Sequence, residues 1–196
     1  MNRSNYDHVI DLKIGTDNNL YAGMILSMEY FGDTIIPTPG NMIVKLDLDG
    51  NELMAKSIKN HNSLMYNSLH LDSFDLDDEN NIYLTGWFTD NVTLDPTNSE
   101  FNLIANGWGN FVLKMNSDGN FLWKTIYDFQ STNFNGIQIG PRGDIYVFME
   151  IHNSGVPNIS LLKNLSAASG NLNWEKSFTY FVPHANHISN NGNLAV

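Results

Sequence analysis

The chain has 196 residues, with 10 Lys and Arg against 21 Asp and Glu and a formal net charge of −11, so nucleic acid and anionic membrane surfaces repel it. Hydrophobic residues at 42% with only 16% charged residues exclude a disordered chain and supply a core. The absence of cysteine removes disulfides, CxxC redox pairs, thiolate zinc sites and cysteine nucleophiles together, while 29 Asn and 15 Gly call for many turns rather than long helices.

The N-terminal stretch MNRSNYDHVIDLKIG has no basic segment leading into an apolar run, and 18 apolar residues nowhere run together. Neither a signal peptide nor a membrane span is therefore expected in this chain. A first strand from about Asp7 to Ile14 leads into Asp17-Asn18-Asn19-Leu20-Tyr21-Ala22-Gly23. That string recurs as Glu79-Asn80-Asn81-Ile82-Tyr83-Leu84-Thr85-Gly86 and as Arg142-Gly143-Asp144-Ile145-Tyr146-Val147, with the tyrosines 62 and 63 residues apart. It begins a fourth time at Asn191-Gly192-Asn193-Leu194-Ala195-Val196.

A second motif alternates with the first. It reads Val44-Lys45-Leu46-Asp47-Leu48-Asp49-Gly50-Asn51-Glu52-Leu53-Met54, then Leu113-Lys114-Met115-Asn116-Ser117-Asp118-Gly119-Asn120-Phe121-Leu122-Trp123, then Leu162-Lys163-Asn164-Leu165 leading to Gly170-Asn171-Leu172-Asn173-Trp174. Short runs rich in Ile, Val, Tyr, Phe and Trp suit a pleated sheet, and Asn-Asn or Asp-Gly-Asn between them tolerates positive φ, so each motif is a β-hairpin. The second unit should contain strands at about Leu69 to Asp77, Asn81 to Phe88, Asn110 to Met115 and Asn120 to Tyr127. Ile82 to Phe88 is apolar at odd and even positions alike, which requires cover on both sheet faces, as in stacked propeller blades.

The stretch from Asp78 to Phe129 carries D-x-x-N-N-I-Y-L-T-G-W-F, Val92-Thr93-Leu94-Asp95-Pro96, Phe101-Asn102-Leu103 and N-F-V-L-K-M-N-S-D-G-N-F-L-W-K. It resembles the bacterial seven-bladed-propeller repeat of SBBP type. The first unit departs with Met54 where Trp123 and Trp174 stand, and the third lacks the Leu-Asp-Pro insertion. The expected fold is an all-β propeller fragment of about three four-stranded antiparallel blades, at about 7–60, 67–130 and 132–180, plus the start of a fourth at 181–196. The resemblance implies a non-catalytic scaffold or binding module of a secreted or cell-surface bacterial protein, without a cofactor and with a protein or glycan partner. Since three and a half blades do not close, the remaining blades of a longer propeller, or self-association, should cover the ends of the arc.

Candidate sites follow from what the repeat leaves over. Asp47-x-Asp49-Gly50-Asn51-Glu52 has its glycine at the fourth place rather than the sixth of a calcium loop, and Gly119 and Gly170 recur at the same hairpin position, so it is a turn. His8 and His70 share one position on the first strand of adjacent units, where they would line a central channel. Trp123 and Trp174 recur at one outer position, which fits packing between blades. Trp87 and Trp108 flank an expected connection from Thr89 to Gly107, and with Asp90 they form the preferred ligand groove. Asn164 to Trp174 also resembles the tryptophan docking motif of quinoprotein propellers, which implies the alternative of a quinone-dependent oxidoreductase holding Ca²⁺; a third reading is a spacer between adhesive domains.

Overall fold

The computed structural model describes residues 8–26, 30–31, 34–35, 40–61, 68–127, 132–152, 158–179, 187–188 and 194–195. Alternation of apolar runs with Asn- and Gly-rich turns produces strands throughout, and no α-helix occurs among the described residues. In the first repeat, β1 (His8–Ile14), β2 (Leu20–Leu26), β5 (Gly40–Leu46) and β6 (Glu52–Ile58) form one antiparallel sheet, while β3 (Tyr30–Phe31) and β4 (Thr34–Ile35) pair separately between β2 and β5. The second sheet is β7 (Leu69–Leu76), β8 (Ile82–Thr93), β9 (Asn102–Met115) and β10 (Phe121–Tyr127). The third is β11 (Thr132–Ile139), β12 (Ile145–Ile151), β13 (Ile159–Leu165) and β14 (Leu172–Thr179). A last pair, β15 (His187–Ile188) with β16 (Leu194–Ala195), falls where a fourth repeat was expected to begin.

The three sheets repeat in detail as well as in order. Their first hairpins close with N–H of Gly15, Asp77 and Gly140 donating to the carbonyls of Asn19, Asn81 and Asp144. Positive φ falls on Asn18, Asn80 and Gly143, at 59°, 61° and 77°. The outer hairpins put it on Gly50, Gly119 and Gly170, at 84°, 80° and 71°, a region that L side chains enter at a cost of about 1–2 kcal/mol. Each first strand carries a bulge at the same place, between Val9 and Asp11, Leu71 and Ser73, and Phe134 and Gly136.

The second sheet packs between the other two because both of its faces are apolar. Leu84, Phe111 and Leu113 cluster with Tyr21, Ile43 and Ile58 of the first sheet, and Tyr83 and Val112 on the opposite face cluster with Ile137 and Val147 of the third. Polar groups at the seams are paired. The buried Asn41 carboxamide donates to the Leu69 carbonyl at 3.0 Å and accepts the Leu71 N–H at 2.9 Å, which fixes the register of β5 against β7. Asp75, on β7, reaches both ways: it pairs with Lys13 Nζ at 3.5 Å and accepts the Ile139 N–H at 2.7 Å.

An outer lock repeats at each seam. A Cβ added to Gly119 would lie 3.4 Å from Met54 Sδ, and one added to Gly170 would lie 2.6 Å from the Trp123 ring. Trp123 also donates its indole N–H to the Ala167 carbonyl at 3.0 Å, and Thr125 donates to the Gly170 carbonyl at 2.9 Å. The turn that resembles a quinoprotein docking motif is thus occupied by Trp123 of the preceding sheet. Trp123, on β10, is largely covered by the outer turn of the following sheet.

These contacts separate backbone strain from packing. Gly50→Ala and Gly170→Ala both place a side chain at positive φ, but Gly50 has open space where Gly170 meets Trp123 and Thr125. Denaturant melts should show about 1 kcal/mol lost for Gly50→Ala and about 2–4 kcal/mol for Gly170→Ala. Equal losses would mean that Trp123 does not sit on this turn.

Candidate functional site

The connections between the strands divide the molecule into two unlike ends. Tight turns close one end, as between β1 and β2, β5 and β6, or β7 and β8, whereas the connection at 94–101 between β8 and β9 lies at the other. Binding residues concentrate where loop length is free to vary.

At the tight-turn end each of the first two repeats builds a tyrosine–carboxylate–lysine cluster. Asp17 accepts the Tyr21 hydroxyl at 3.1 Å and meets Lys45 Nζ at 2.8 Å, and Asp77 accepts the Tyr83 hydroxyl at 2.9 Å with Lys114 Nζ at 3.7 Å. The carboxylate comes from four residues before the tyrosine in one case and six in the other, and the third repeat carries Arg142 and Gly140 at those places. Partial burial works against the Asp17 carboxylate, but hydrogen bonds from Lys45, Asn19 and Tyr21 outweigh it and hold the group at about 2. A cleft of about 320 Å³ opens beside Asp77, Tyr83, Lys114 and Arg142. Its central groups are already engaged at the seam, since Lys114 donates to the Ala167 carbonyl at 3.3 Å.

The long-connection end has a different chemistry. The stretch from Thr89 to Gly107, expected as a connection, is largely paired strand: β8 and β9 run on past a bulge at Asp90, with Asn91 opposite Ile104, Val92 opposite Leu103 and Thr93 opposite Asn102. Val92, Leu94 and Leu103 are buried. The extension is tied down by Asn60, which accepts the Thr93 N–H at 3.0 Å and donates to the Asn91 carbonyl at 3.2 Å, and by the Phe101 ring 5.3 Å from that of Phe121. It is a rigid ledge rather than a loose loop.

Four rings run across this end in one series. His8 and His70 have centroids 6.4 Å apart, His70 stacks on Trp87 at 5.3 Å with planes 5° apart, and Trp87 meets Trp108 at 4.8 Å. The register explains the array: His70 and Trp87 face each other across β7 and β8, and Trp108 lies two residues along β9 from Asn110, the partner of Trp87. His70 and Trp87 are half-buried, while His8 and Trp108 are exposed, Trp108 by 54%. Asp90 is exposed beside the series, at φ 58° and one residue beyond Thr89, the partner of Trp108.

The channel pair and the loop groove that the sequence set apart are therefore continuous. Asp72 joins them unannounced: it occupies the β7 bulge and places Oδ1 3.2 Å from His70 Nδ1. Burial pushes the Asp72 carboxyl above its ordinary range, against the opposing hydrogen bond and charge of His70. The signal for it was His70-x-Asp72, a spacing that on a strand brings two side chains to one side. Among the described residues no group of three or more His, Asp or Glu could hold a metal ion. What the series offers is a rigid aromatic shelf with an exposed indole at one end, an imidazole at the other and carboxylates at its margin. No protein-family model matches the chain, and no curated protein matches it in sequence.

Two outcomes test this anatomy. Trp87→Ala, which removes the centre of the stack, should cost about 2–3 kcal/mol, and Trp108→Ala less than about 1 kcal/mol, in urea melts. At the opposite end, the Asp17 carboxylate is held below its unfolded value of about 4, so its contribution is present above pH 4 and is lost as pH falls toward 2. Asp17→Asn should flatten that part of the acid stability profile, and an unchanged profile would refute the assignment.

Proposed function

We propose that the three sheets are successive blades of a β-propeller of the SBBP type and that the chain is a non-catalytic binding module of a secreted or cell-surface bacterial protein. The propeller reading is supported by the identical strand order, by the bulge recurring in each first strand and by face-to-face burial of the second sheet on both sides. The partner it binds is a glycan. The observation that carries this reading is the His8–His70–Trp87–Trp108 series on a braced ledge.

An exposed indole face supported from beneath by other rings is a surface for the axial C–H face of a sugar ring, because it is flat, apolar and already desolvated on its inner side. Asp90 and His8, exposed at the margins, supply acceptor and donor capacity for hydroxyls around that ring. Rigidity matters here, since a shelf ordered in advance spends little conformational entropy on binding. The net charge of −11 favours neutral or basic saccharides over sulfated or uronic ones.

The test is an array of neutral and amino-sugar oligosaccharides followed by titration of the hits, read by tryptophan emission. Binding should quench and shift the emission, and Trp108→Ala should weaken it at least about tenfold with the melting temperature unchanged. Retention of a protein partner with no saccharide bound would move the reading to a protein surface; saccharide binding indifferent to Trp108→Ala would place it elsewhere on the molecule.

A further inference from the structure

Each sheet presents a row of outer-strand side chains to the sheet that follows. In the first sheet the row is Met54 and Lys56, and it receives the next outer turn: Gly119 lies against both, and Lys56 Nζ sits 4.7 Å above the Phe121 ring. In the second it is Trp123, Thr125 and Tyr127, which receive the Gly170 turn and Phe134. In the third sheet the same row is Trp174, Lys176 and Phe178, and here it is exposed, Trp174 by 40% where Trp123 is covered by the Ala167 to Gly170 turn. Among the described residues no turn is seated on this row.

The first sheet shows the converse. Its outer turn, equivalent to those at Gly119 and Gly170, has nothing within 4 Å of a Cβ at Gly50, and Leu48 beside it is 75% exposed. Along β1, Val9 and Leu12 are exposed, although their counterparts Leu71 and Phe74 in the second sheet and Phe134 and Ile137 in the third are buried against the preceding sheet. Charge selects what would fill these two surfaces. Two residues beyond the glycine, where Phe121 receives Lys56, the first turn carries Glu52, flanked by Asp47 and Asp49; two residues beyond Trp174 stands Lys176. A Gly50 turn seated on Trp174 as Gly170 sits on Trp123 brings Lys176 to Glu52.

We propose that the occupant is a second copy of this chain: the β5–β6 turn of one copy docks on the Trp174, Lys176 and Phe178 row of another, with the Trp174 indole N–H directed to the Leu48 carbonyl. The contact joins different surfaces of the two copies, so it is head to tail and propagates rather than stopping at a pair. The docking turn and the Trp174 row lie on outer strands and their turn, whereas the aromatic shelf is carried by β1, β7, β8 and β9.

Sedimentation velocity of the full chain from about 10 to about 300 µM should show mass rising with concentration through dimer and beyond, less at high salt because the acidic turn and Lys176 are screened. Trp174→Ala should weaken association at least about tenfold. Lys176→Glu and Glu52→Lys should each weaken it, and the two changes in one chain should restore it. All three positions are exposed, and circular dichroism melts establish that the variants are folded. The decisive arm mixes Trp174→Ala chains, which keep the turn, with Glu52→Lys chains, which keep the row: the mixture should give hetero-dimers and nothing longer. A monomer throughout the range, a species that stops at two for the unaltered chain, or association indifferent to the charge exchange would overturn the proposal.

Discussion

A four-stranded sheet whose middle strands are apolar on both faces has no stable existence in water until something covers each face, and the architecture of this chain follows from that requirement. The second sheet buries Leu84 and Leu113 on one side and Tyr83 and Val112 on the other, so neighbours must lie on both sides of it. Because the neighbours are copies of the same unit, one docking solution serves repeatedly. An outer-strand side chain, Met54 or Trp123, meets a glycine at positive φ in the next turn. Glycine serves twice there, in permitting the turn and in leaving room for the incoming ring.

Apolar burial fixes which faces meet but leaves sliding open, and polar groups remove that freedom. Asn41 reads two backbone groups of β7 at once, and any shift along the seam would leave its buried amide unsatisfied. Asp75 does the same across three sheets, holding a Lys13 ammonium on one side and the Ile139 amide on the other. Burial raises the Asp75 carboxyl above its ordinary range, against the backbone hydrogen bond from Ile139 and the charge of Lys13. It acts as a specificity device that spends some stability to hold register.

Much of this was legible in the sequence because turns are local. Asn18, Asn80 and Gly143 mark one hairpin and Gly50, Gly119 and Gly170 the other through conformational preferences that need no tertiary partner. The β8–β9 ledge was not, since Asn91, Asn98, Asn102, Asn106 and Gly107 give it the composition of a loop while only Val92, Leu94 and Leu103 carry its buried side. The stabilising contacts of the ledge come from Asn60, 33 residues away from Thr93. Of the candidate site, the adjacency of His8 and His70 could be anticipated from repeat spacing, and that of Trp87 and Trp108 from their places on either side of the expected connection. Their fusion into one series required the register of β7 against β8, which is shifted by the bulge that also aims Asp72 at His70. The tyrosine clusters show the same limit, because Asp17 and Asp77 reach equivalent hydroxyls from non-equivalent places.

Docking of successive sheets through the outer-strand side chain and the next glycine turn is the claim on which the blade reading and the copy-to-copy contact both stand. The chain has four tryptophans, so its indole N–H signals can be assigned individually by nuclear magnetic resonance. In dilute solution the Trp123 indole proton should exchange slowly with solvent and show cross-peaks to Ala167 and Gly170, while that of Trp108 exchanges fast. A Trp123 indole proton that exchanges as fast as that of Trp108, with no cross-peak to residues 167–170, would contradict it.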